Sequence, residues 1–102
     1  MTLAKPTYAL TAVQAKVNEL GANAFTASAL NSGRNGLGLT LKEMIGTINS
    51  AKESHCYKTM LSNTIVGAYQ DVYHLNTPFA QVAYVKFCLH PESKVVVSFK
   101  AK

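Results

Sequence analysis

The sequence predicts an α+β fold in which N-terminal helices pack on a C-terminal antiparallel sheet. Apolar residues before position 50 recur at spacings of three and four, the mark of one buried helix face. From Ile65 onward the period becomes two, in runs rich in Val, Ile and Tyr. The connections between those runs are too short for crossover helices, so consecutive strands must lie antiparallel.

The elements follow in order. Thr7 is placed to cap a helix carrying Leu10, Val13, Val17 and Leu20, which Gly21 ends. An extended piece, residues 22–25, leads to a second cap at Thr26 and a brief helix over 27–30, which dissolves in Ser32-Gly33-Arg34-Asn35-Gly36. Thr40 with Glu43 three residues on reads as a capping box, followed by the stripe Leu41, Met44, Ile45 and Ile48. Residues 55–60 are expected to add a short turn of helix. Three strands then complete a meander: 65–74, 81–90 and 94–100, separated by Asn76-Thr77-Pro78 and Pro91-Glu92-Ser93. A chain of 102 residues fits one domain spanning 1–102.

Ten Lys and Arg against five Asp and Glu leave a formal charge of +5, which suits a polyanion such as RNA or an acidic protein partner. Cys56 and Cys88 lack metal-ligand spacing, and three scattered histidines do not complete a zinc pattern, so reduced thiols and no metal or other cofactor are expected. Neither a secretory signal nor an apolar stretch of membrane-spanning length is present, which points to a cytoplasmic protein with no membrane partner.

Alternation sorts the strands into faces. Val85, Phe87 and Leu89 take the core side of their strand and Val95, Val97 and Phe99 that of the last. Tyr84, Lys86 and Cys88, with Lys94, Val96, Ser98 and Lys100, point the other way. The first strand is ambiguous, with Gln70 on the face of Val66, Ala68 and Val72 and the more polar Tyr69, Asp71 and Tyr73 opposite. A basic, aromatic-bearing sheet face suits single-stranded RNA, with Tyr57, Tyr73 and Lys86 as candidate RNA contacts; the plainer reading is a solvated surface. No paired carboxylates and no Ser-His-Asp or Cys-His spacing appear, so any catalysis must come mainly from Lys, Tyr, Gln and His.

Tyr57-Lys58-Thr59-Met60, Gln70-Asp71-Val72-Tyr73, Gln81-Val82 and Val97-Ser98-Phe99-Lys100, in that order and spacing, resemble the motility quorum-sensing regulator (MqsR-type) toxins. The resemblance implies a RelE-like α+β fold, sequence-preferring endoribonuclease activity on mRNA, and neutralisation by a cognate antitoxin that binds zinc and DNA. It also implies catalytic roles for Lys58, Gln70 and Lys100, and for Tyr84, which one extra residue, Ala83, separates from the Gln-Val pair. Residues 66–69 depart from the pattern: Val-Gly-Ala-Tyr replaces His-Thr-Ile-Trp, so no role of that His is carried over. The competing classes are a non-catalytic RNA- or protein-binding module and a ribosome-dependent toxin of the broader RelE group.

Overall fold

The computed structural model describes residues 5–102, so the first four residues of the stretch searched for a secretory signal lie outside it. Three helices, α1 (Leu10–Leu20), α2 (Ala27–Asn31) and α3 (Leu41–Asn49), precede four strands, β1 (Cys56–Leu61), β2 (Tyr69–Asn76), β3 (Val82–Phe87) and β4 (Val96–Ala101). The strands form one antiparallel sheet in chain order. The class is the predicted one. Among the described residues no helix is long and apolar enough to cross a membrane.

The helices bury most of their expected stripes, Leu10, Val13 and Val17 on α1 and Met44 and Ile48 on α3, with Leu41 and Ile45 partly buried and Leu20, at the end of α1, exposed. These meet Tyr73, Leu75, Val85, Phe87, Val96 and Phe99 from the sheet in one apolar cluster. The capping box forms, with Thr40 Oγ1 accepting from Glu43 N at 3.1 Å and Glu43 Oε1 accepting from Thr40 N at 2.9 Å. Thr26 caps α2 by accepting from Ala29 N, and its hydroxyl donates to Val97 O at 3.0 Å, which ties the cap to β4. After α2 the chain does not dissolve. It continues as a wide π turn, Ser32–Gly36, whose Gly33 packs so closely on Met44 that a Cβ there would overlap Met44 Sδ.

Five details differ from expectation. Thr7 is not the α1 cap, because the Asp71 carboxylate takes the backbone N–H groups of Thr7 and Tyr8, each at 2.8 Å, and helical geometry begins only after Ala9. Residues 22–24 belong to a 3-10 turn, and the extended conformation is confined to Phe25, which bridges Val96. Residues 56–60 are strand, not helix, and 65–68 are loop, not strand. Ser62 makes this exchange by accepting from the N–H groups of Thr64 and Ile65 while its own N–H reaches Ala68 O, closing a hairpin that Gly67 turns at φ +80°. Finally, β4 carries a bulge: Lys86 pairs with Ser98 and Phe87 with Val96, leaving Val97 as the extra residue. Val96 therefore enters the core and Val97 leaves it, the reverse of strict alternation.

Asp71 is 1% exposed and holds the N-terminal segment through those two N–H groups. Asp71→Ala strands both donors, and a urea melt should show a loss of about 2 kcal/mol, the scale of hydrogen bonds to a charged group.

Candidate nucleic-acid interface

Because Tyr73 and Leu75 face the helices, the even-numbered residues of β2 face away from them. Gln70, Val72 and His74 thus line the open side of the sheet. The pairing places Lys58, Val72, Lys86 and Ser98 in one row across all four strands. The next row holds His74, Tyr84 and Lys100. A bulge between Cys56 and Lys58 turns Cys56 toward the core and leaves Tyr57 on the open side, where its ring stacks on His74 with centroids 4.3 Å apart and planes at 20°. His74 in turn lies 5.8 Å from the Tyr84 ring, making an aromatic row from β1 to β3.

Lysines surround this row. Lys58 Nζ lies 5.8 Å from the Tyr57 ring centroid, and Lys86 and Lys100 Nζ lie 5.7 and 5.4 Å from that of Tyr84. No carboxylate answers them: among the described residues the one salt bridge is Lys16–Glu19 on α1. Burial, and then Lys100 and Lys58, push the Lys86 ammonium below its usual range. Burial, with Lys102 and Lys58 adding to it, likewise lowers the His74 imidazole below 6.5. Like charges are crowded here without compensation. Such an arrangement favours the arrival of an anion.

The sequence-derived candidates divide unevenly. Tyr57, Lys58, Tyr84, Lys86 and Lys100 come together on this face. Gln70 shares it, two residues along β2 from the lysine row and so about 7 Å away; it pairs with Met60 and is only 8% exposed. Tyr73 does not belong there. It is 1% exposed, its ring meets Phe87 edge-on at 5.3 Å, and its hydroxyl is buried without a partner, so its place among the RNA contacts is corrected to the core. Cys88 is also corrected: it is fully buried, with Sγ 3.7 Å from Tyr8 Oη, rather than open beside Lys86. Both cysteines are free thiols, and burial raises that of Cys56 to about 11. No three His, Cys, Asp or Glu side chains among the described residues converge on a possible metal position.

Sequence reasoning missed His74. Its signal was the choice of inward residue on β2: once Tyr73 and Leu75 are taken as core, His74 must fall beside Tyr84 and Lys86. The other two histidines serve local turns, His55 Nδ1 accepting from Lys52 N and His90 Nδ1 from Glu92 N.

Three helices on a four-stranded antiparallel sheet, with a cationic open face, make an α+β protein of the class to which the RelE-like toxins belong. The chain belongs to the family described as motility quorum-sensing regulator, toxin of MqsA, whose model matches residues 5–101. Its members are toxins of toxin–antitoxin systems. No individual curated protein matches the chain.

The buried Tyr73 hydroxyl gains nothing from its site, so Tyr73→Phe should leave stability within about 0.5 kcal/mol or raise it slightly. A gel-shift titration with RNA should not distinguish this variant from the parent.

Proposed function

We propose that this protein is an endoribonuclease toxin that cleaves mRNA at preferred sequences on the open face of its sheet. The observation that supports this most directly is the set of Lys58 over the Tyr57 ring and Lys86 and Lys100 over the Tyr84 ring, with no carboxylate partner among the described residues. The family's description as a toxin agrees with it. The chemistry is transfer of a phosphodiester to the neighbouring 2′-hydroxyl, which leaves a 2′,3′-cyclic phosphate and a 5′-hydroxyl. Lys58 and Lys100 bind the scissile phosphate and offset the charge that grows on the phosphorane. Tyr84, beside Lys100, donates a hydrogen bond to a phosphate oxygen. Gln70 holds the ribose or base through its amide, while Lys86 and the exposed Tyr57 take the adjoining phosphates and unpaired bases. The reaction draws on side chains alone and needs no metal. In the cytoplasm the toxin is held inactive by a cognate antitoxin of the MqsA kind, a zinc-binding and DNA-binding protein.

Chelator-treated protein acting on naked labelled transcripts tests both catalysis and independence from the ribosome. Lys100→Ala should slow cleavage roughly 10²-fold or more, as when one preorganised transition-state contact is removed. Lys16→Ala, on α1 and far in sequence from the face, is the control and should cleave like the parent. Equal rates for both variants would falsify the placement of Lys100, and activity that returns only with added magnesium would replace the metal-free scheme.

In cells, induction of the toxin alone should arrest growth, and co-expression of the antitoxin should restore it. Normal growth with abundant, folded, soluble protein would count against the toxin reading.

A further inference from the structure

The lysine and tyrosine set leaves one requirement of the reaction without an assigned group: something must accept the proton of the attacking 2′-hydroxyl. His74 has the position for it. It stands in the row that runs to Tyr84 and Lys100, one row along β2 from Lys58 and Lys86, and its ring is held between Tyr57 at 4.3 Å and Tyr84 at 5.8 Å. Stacking on one side and a tilted contact on the other fix the ring plane, yet the side chain remains partly exposed on the face that would receive RNA. His55 and His90 are spent on backbone turns, which singles out His74 as the imidazole facing this surface.

Resting on the ribonuclease reading above, we infer that His74 is a further catalytic residue, the base that takes the 2′-hydroxyl proton. The O2′–H proton passes to an imidazole nitrogen as the O2′–P bond forms and the P–O5′ bond breaks. The departing 5′-oxygen takes a proton from solvent, and the imidazolium returns its own to solvent, so charge and protons balance. An imidazole is well matched to this task because its ordinary titration lies nearest neutrality of all side chains. The groups around it favour its neutral form. Tyr57 and Lys58 face it from β1, Tyr84 and Lys86 from β3, and Lys100 and Lys102 from β4 and the residue beyond; all the charged ones are cations. Asp71, on its own strand, points to the other face of the sheet.

The test is the pH dependence of kcat/KM on a short labelled RNA. The parent should show an acidic limb, activity falling with pH as the base becomes protonated, with its inflection below 6.5. His74→Phe keeps a flat ring against Tyr57 and should melt like the parent, yet lose roughly 10²-fold in rate together with that limb. His74→Ala opens a gap between two aromatic rings, and free imidazole in the buffer should restore part of its activity. A His74→Phe enzyme that retains the acidic limb, at full or reduced rate, overturns the assignment and leaves the ribonuclease reading standing. So does a folded His74→Ala enzyme that imidazole does not rescue. A parent protein that cleaves no RNA overturns both readings together.

Discussion

Tyr73 and Leu75 project from β2 into the same apolar layer as Val85, Phe87 and Ile48, and β2 is hydrogen-bonded to a neighbour on each side. A strand so placed cannot slip by one residue, because the slip would carry two large core side chains to the surface and draw His74 in among the helices. That constraint determines which residues the open face receives. With Tyr73 inward, Val72 and His74 must point outward, and the register carries Lys58, Lys86, Tyr84 and Lys100 to their sides. The buried tyrosine and the exposed cationic surface are thus two results of one pleat.

The architecture was legible in the sequence because its strongest signals are periodic and local. The α3 cap needs only Thr40 and Glu43, and the stripes of α1 and α3 need only spacing. The errors lie where one residue alters the count. Val97 bulges out of β4, so Val96 occupies the core position that alternation assigns to Val97. Tyr57 bulges out of β1, which lets two consecutive side chains, Tyr57 and Lys58, serve the same face. Tyr73 looked outward because tyrosine is amphipathic and its neighbours Tyr69 and Asp71 are polar. Burial of its phenol without a hydrogen-bond partner is an outcome that residue type argues against. Residues 55–60 read as helix because so short a segment has too little pattern to separate the two periods, and only pairing with β2 decides for strand.

The electrostatic design is similarly divided by the sheet. The buried carboxylate of Asp71 is turned to the helical side, where two backbone N–H groups satisfy it, instead of neutralising the lysines one strand-thickness away. Had the same side chain pointed outward, Lys58 or Lys86 would have had a built-in counterion. Keeping the two sides separate leaves the open face with its full positive potential, at the expense of mutual repulsion among its ammonium groups.

The Asp71 clamp joins residues 63 and 64 positions apart along the chain, whereas each strand of the sheet pairs with the next one in sequence. Closing a loop of that size costs more chain entropy than closing a hairpin, by the logarithm of the length ratio. The meander is therefore the kinetically local part of the molecule and the docking of α1 the non-local part. During synthesis the helices emerge first, before the sheet face on which their apolar stripes are buried. The cationic face, built from the meander, thus takes shape after the helices that precede it in the chain.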